Sequence, residues 1–252
     1  MEHTYKKCKE DNADIVVFQV MEYDNRTGKT KYMHWAYKEE YIPKQIPFSY
    51  KDMPKYIFNS FQNWVWNKLF SAEFIRKHNI KFQEIKRTND LLFTCSALVK
   101  VERITLLEEK LVYYRINHGG ICQATNNKAP LDFYKAFCAL KQYLIIQGMY
   151  AKVQQSFVNW ALDGCLYNLG SIKDEKSKEI VYQKLKQEGF HALDIDRFPE
   201  SYFYDNKSYQ EYKQIMGLSS VKNILVRKVW GYYKQHGIKQ TVKKIMQKLN
   251  IR

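Results

Sequence analysis

Apolar residues change their spacing several times along the chain, and each spacing predicts a different element. Residues 2 to 11 read as the end of a helix. From Asp14 to Tyr23 the run has the β-branched, apolar character of a buried strand. The turn formers Asp24-Asn-Arg-Thr-Gly28 and a second extended stretch from Thr30 to Trp35 complete a predicted hairpin. Pro43, Pro47 and Pro54 punctuate a loop region, after which Tyr56 to Phe61 and Ser71 to His78 read as helical. Asn89 to Glu102 reads as a helix with Asn89 as N-cap and Asp90 in its first turn, where a carboxylate suits the positive end of the dipole. Short strands are expected at Ile104 to Leu107 and Lys110 to Ile116. From Leu131 the spacing is helical over Leu131 to Met149, Tyr150 to Leu169 and Asp174 to Glu188, and again, beyond Pro199, over Tyr209 to Met216. The fold class is therefore mixed α/β: a small sheet with flanking helices, then a mainly helical C-terminal region. The shift in composition near residue 125 divides the chain into a sheet-bearing unit at 1–125, a helical extension at 126–220 and a basic tail at 221–252.

Composition narrows the class further. The 252 residues are 45% hydrophobic and 27% charged, with ten glycines and five prolines, which fits a folded globular chain and excludes bulk disorder or collagen-like repeats. No run approaches the roughly 18 apolar residues that span a bilayer, and the charged opening from Met1 to Asp14 lacks a signal-peptide core. A cytoplasmic location is the expectation. Cys8, Cys95, Cys122, Cys138 and Cys165 form no CxxC pair, so reduced, packed thiols are expected and not a zinc knuckle or disulfide framework.

Charge matters most at the end of the chain. Of a net +15, nine charges fall between Val221 and Arg252, where Asp and Glu are absent. Ile238, Val242, Ile245, Met246 and Leu249 share one helical face, and Val221, Ile224, Leu225, Val229 and Tyr232 form a similar stripe before Gly237, where a helix would end. Two basic amphipathic helices in series fit the plane of an anionic membrane, with Lys222, Arg227, Lys228, Lys239, Lys243, Lys244 and Lys248 at the headgroups. The plainer reading is a helix pair packed on its own domain with its lysines solvated. Nucleic acid is not an expected partner, because no binding motif for it appears.

Four short motifs carry a resemblance. Trp66-Asn-Lys-Leu-Phe70, Phe74-Ile-Arg-Lys-His-Asn-Ile-Lys-Phe82, Asn89-Asp-Leu-Leu-Phe93 and Leu111-Val-Tyr-Tyr-Arg115 closely resemble, in order and spacing, the C-terminal half of the catalytic domain of bacterial family 2 glycosyltransferases. The resemblance covers about residues 1 to 120, and the helical region and tail look like extensions common among capsule and exopolysaccharide transferases. It implies a partial GT-A-like sheet and inverting, hexosyl-type transfer from a nucleotide-sugar donor to a glycan or lipid-linked acceptor, on the inner face of the cell membrane. It also implies Asp90 as the base that takes the acceptor proton. Asn89 flanks it on the substrate side, and Trp66 and Asn67 would line the acceptor pocket. Arg115 would approach the donor diphosphate, and His118, before Gly119-Gly120, would lie near a divalent metal, Mg or Mn, and the pyrophosphate. Each residue has a plainer use: Asp90 as a helix cap, Trp66 in the core, Arg115 in a surface ion pair, His118 as an ordinary loop histidine.

The family's opening nucleotide-binding strands and its DxD metal motif are not matched. Met1 falls where the helix after the DxD would run, so a truncated chain is expected, from a misplaced start, a split gene or a decayed one. An exposed sheet edge open to self-association would follow. Asp194-Ile-Asp196 has the right spelling but follows a helix, the wrong context for a metal site. The alternative function is a non-catalytic remnant that binds membrane or a partner.

Overall fold

The computed structural model describes residues 1–118, 128–217 and the helix 221–248, the last with side chains from 229 to 246. The expectations for Cys122, Gly119-Gly120, the boundary near residue 125 and the side chains of Lys222, Arg227, Lys228 and Lys248 lie outside the described residues.

After helix α1 (Glu2–Glu10), strand β1 (Ile15–Asp24) forms the spine of a four-stranded sheet. Its first six residues are buried on both faces, which explains why the sequence there is apolar without alternation. Strand β2 (Thr30–Tyr32) pairs antiparallel with Met21–Tyr23, and strand β3 (Lys68–Phe70) pairs antiparallel with Ile15–Val17. Helix α2 (Ala72–Lys77) follows, capped by Ser71 Oγ, which accepts from Phe74 N–H at 3.2 Å. Helix α3 (Asn89–Lys100) then leads into strand β4 (Ile104–Ile116), which runs parallel to β1 along its whole length. Because β4 occupies one edge of β1 throughout, β2 and β3 share the other edge, one at each end. The helical region comprises α4 (Asp132–Ile146), α5 (Tyr150–Ser171), α6 (Glu175–Lys184), the single turn α7 (Phe190–Ala192), α8 (Asn206–Gly217) and α9 (Val221–Lys248).

One apolar core runs through both parts. Ile15, Val17 and Ile104 of the sheet, Leu91 and Leu98 of α3, Leu140 of α4 and Phe157 of α5 belong to the same buried cluster, which continues to Ile215 of α8. Contact between α4 and α5 is close enough that a Cβ on Gly164 would sit 2.4 Å from Cε2 of Phe137, so only glycine fits beneath that ring.

Several expectations are corrected. Tyr56 to Phe61 is a series of turns rather than a helix, because its backbone is committed to partners outside the segment and to its own side chains. Phe58 N–H donates to Ser156 Oγ at 2.9 Å, and Ser60 Oγ donates to Tyr56 O at 2.8 Å. The two short strands expected between 104 and 116 are one strand, its register against β1 shifted around Gln19 by an irregularity that absorbs the extra residues. The second extended stretch stops at Tyr32, since His34–Ala36 forms a 3-10 turn. The N-cap of α3 is Thr88 and not Asn89. Helix α6 loosens into a π-turn from Leu185 to Gly189. In α9, Gly237 (φ 74°, ψ 172°) breaks the helix, and Lys244 Nζ reaches to 3.9 Å from the Tyr232 ring. Twelve residues of straight helix would hold these about 18 Å apart along the axis, so the two segments fold toward each other at Gly237.

Candidate active site

The loop between the 3-10 turns and β3 is held in a clasp. Lys68 is nearly fully buried, and its Nζ donates to Gln62 O at 2.7 Å, Trp64 O at 2.7 Å and Asn67 Oδ1 at 2.8 Å. Thr94 Oγ1 of α3 donates to Asn63 O at 2.9 Å. Three consecutive carbonyls, which a loop would ordinarily turn to water, are therefore taken by side chains from β3 and α3. Three acceptors match the three N–H donors of an ammonium, whereas a neutral amine would face one of them with its lone pair. Burial pulls the Lys68 pKa down to about 7, against attraction from Asp90 and Cys95.

Gripped in this way, the loop presents aromatic side chains over the sheet. Trp64 and Trp66 stack with ring centroids 4.5 Å apart, and each lies nearly parallel to Tyr114 of β4, at 5.9 and 5.7 Å. Trp35 meets Trp64 edge-on at 5.2 Å and is half exposed. Val20, Met33 and Ala36 form the buried floor against which Trp64, Trp66 and Tyr114 pack.

Asp90 stands in the first turn of α3, half-buried, with its carboxylate beside the backbone N–H groups of Asp90 and Leu91. Burial is the largest influence and holds its pKa above the ordinary carboxylate value, opposed by those N–H groups and by the Lys68 charge. The preceding Thr88 adopts φ 58°, ψ 21°, a left-handed conformation that is strained for a β-branched residue. The loop before it is fixed by Asp132, whose Oδ2 accepts from the N–H groups of Lys86 at 3.1 Å and Arg87 at 3.3 Å.

The structure thus brings Asn67 to Lys68 by a hydrogen bond and Asp90 near enough for their charges to interact, with Trp66 on the same loop and exposed Asn89 next to Asp90 in the chain. It separates Arg115 and His118 from them. Arg115 pairs with Tyr23 at the far end of β1, about 20 Å along the strand from Val17, the partner of Lys68. Its guanidinium donates to Asn25 Oδ1 at 2.5 Å, and strand alternation places it on the face opposite Tyr114. His118 is exposed just beyond.

No protein-family model and no curated protein matches the chain. Among solved structures, it is similar to S. aureus TarS 1–349, at 16% identity and a TM-score of 0.45, over 84% of this chain and 62% of that one. Against S. aureus TarS 1–349 in complex with UDP-GlcNAc the identity is 17% and the TM-score 0.40, over 84% of this chain and 63% of that one. The chain spans less than two thirds of the length of either.

The described residues offer no cluster suited to a divalent metal: no group of three or more His, Cys, Asp or Glu side chains among them could hold one. In Asp194-Ile-Asp196 the carboxylates are already engaged: Asp194 with Lys141 at 2.7 Å and Arg197 at 2.9 Å, Asp196 with His191 at 2.8 Å. Two cavities, of about 600 Å³ beside α6 and about 460 Å³ beside the Glu84–Lys86 loop, include neither Asp90 nor Trp66. Sequence reasoning missed Lys68, Trp64, Trp35 and Tyr114. The available signal was the W-x-W spacing followed directly by Asn-Lys between apolar positions.

Proposed function

We propose that the chain forms the acceptor side of a nucleotide-sugar-dependent, inverting glycosyltransferase of the family 2 type, with a GT-A-like sheet, acting in polysaccharide or cell-surface glycan synthesis. The observation that carries this reading is the Asp90 carboxylate: half-buried, raised in pKa, and linked through Lys68 to an aromatic loop. In the reaction the acceptor hydroxyl gives its proton to Asp90, and its oxygen lone pair forms a bond to the anomeric carbon. The bond from that carbon to the donor diphosphate breaks, and its electron pair leaves with the nucleoside diphosphate. A carboxylate whose pKa burial has raised is a stronger base than a solvated one. Release of UDP from UDP-sugars in the presence of glycan acceptors tests the proposal: turnover by the native chain that Asp90→Asn removes supports it, and unchanged turnover by that variant refutes it.

The same reading places the protein peripherally on an anionic membrane. No described helix is long and apolar enough to cross a bilayer. Along α9, however, Trp230, Ile238, Val242, Ile245 and Met246 are exposed, interleaved with Lys234, Lys239, Lys243 and Lys244. Apolar side chains would enter the acyl boundary while the lysines meet the headgroups.

A further inference from the structure

We propose that the Trp35, Trp64, Trp66 and Tyr114 cluster is a stacking subsite for the pyranose rings of the acceptor glycan, and that Lys68 is the positioning residue that holds it in shape. This rests on the glycosyltransferase reading and adds to it the acceptor's chemical class, a chain of hexopyranose or N-acetylhexosamine units.

A pyranose ring presents one face of C–H bonds and a rim of hydroxyls, so it is bound by flat apolar surface with polar groups at the border. The cluster offers both. Trp66 and Tyr114 are parallel to within 6°, and Trp64 and Tyr114 to within 12°, giving a set of ring planes of common orientation. Trp35, 50% exposed, extends it toward solvent. Next to Trp66 in the chain, the Asn67 Nδ2 is a buried polar atom without a hydrogen-bond partner among the described residues, an uncommon condition that a hydroxyl-bearing ligand or a water relieves.

The way the loop is held points to a purpose beyond packing. Side-chain stacking alone would leave the carbonyls of Gln62, Asn63 and Trp64 to solvent. Instead a buried ammonium and a hydroxyl secure them, at a desolvation cost that apolar packing would have avoided. What that cost fixes is the position of Trp64 and Trp66 relative to Asp90, on the neighbouring α3.

The test uses the full chain without any donor. Intrinsic tryptophan fluorescence is titrated with neutral oligosaccharides of hexose and N-acetylhexosamine, and the far-ultraviolet exciton signal of the Trp64–Trp66 stack is recorded. Saturable binding is expected, weakened about tenfold or more by Trp64→Ala and by Trp35→Ala. Trp35 is exposed enough that its variant keeps the fold. Lys68→Met is expected to lose both binding and the exciton signal, and Lys68→Arg to recover part of each. No saturable binding by the native chain overturns the proposal, as does binding indifferent to both tryptophan variants. Self-association that depends on Trp35 without oligosaccharide binding assigns the patch to a protein contact and also overturns it. In a separate assay with UDP-sugar donors, absence of transfer by a chain whose oligosaccharide binding depends on Trp35 defeats only the enzyme reading. Transfer whose acceptor KM ignores Trp35 and Trp64 defeats only the subsite.

Discussion

Trp64 and Trp66 are two residues apart, and their indole rings stack with centroids 4.5 Å apart and planes 18° apart. In an extended strand, residues at that spacing stand about 7 Å apart on one face. The rings come closer because the loop is drawn inward by Lys68, which takes the carbonyls of Gln62 and Trp64. The aromatic surface is thus a consequence of one buried cation.

Lys68→Met should therefore be costly. It leaves one buried and two half-buried acceptors without their donor, and a loss of about 3 kcal/mol is expected in urea denaturation. The pH dependence has a definite sign. Burial lowers the folded pKa to about 7 from 10.5, so the folded state holds this proton less tightly than the unfolded one. The stability of the native chain relative to Lys68→Met should be lowest below pH 7 and rise as the pH increases from about 7 towards 10.5. A flat difference across that window would show that Lys68 titrates normally.

Asp194 anchors the helical region. It is 1% exposed, accepts from Tyr150 Oη at 2.5 Å, and pairs with Lys141 and Arg197. Burial raises its pKa, but the bonds from Lys141 and Tyr150 and the nearby charges outweigh it, so the net shift is downward. Asp194→Ala is expected to cost about 2–3 kcal/mol, since Tyr150 Oη loses its acceptor and the partly buried Lys141 keeps only Ala192 O, at 2.6 Å. With a folded pKa below the unfolded value near 3.8, this contribution is present above that value and lost as the pH falls through the folded one. Chemical denaturation of both forms at neutral and acidic pH reads the narrowing gap.

Removal of Val221–Arg252 should abolish or strongly weaken flotation with anionic vesicles while leaving the melting temperature of the remainder nearly unchanged. The exposure of Trp230, Ile238, Val242 and Ile245 shows that the described part of α9 contributes little to the core. Unchanged flotation would count against membrane docking.

Much of the scaffold was legible in the sequence for identifiable reasons. The apolar run at Ile15–Val20, interrupted only by Gln19, marks a buried strand, and the spacing of Leu91, Cys95 and Leu98 falls on a buried face of α3. Asp90 at the start of that helix followed from the same pattern. The turns at Tyr56–Phe61 were not legible, because what opposes a helix there is Ser156, far along the chain. Lys68 stood in the Trp66–Phe70 motif without a role of its own, since only the closure of the loop around it shows that it is buried. Arg115 was grouped with Asp90 by motif order, whereas the length of β1 keeps them apart.

The most direct test of the central claim is the pH dependence of sugar transfer by the native chain and by Asp90→Asn, with saturating UDP-sugar and a glycan acceptor. The native chain should show an acidic limb displaced above the ordinary carboxylate value of 3.8, and Asp90→Asn should lose that limb together with about 10²-fold or more in rate. Transfer by Asp90→Asn at the native rate with the limb intact would contradict the assignment of Asp90 as the base.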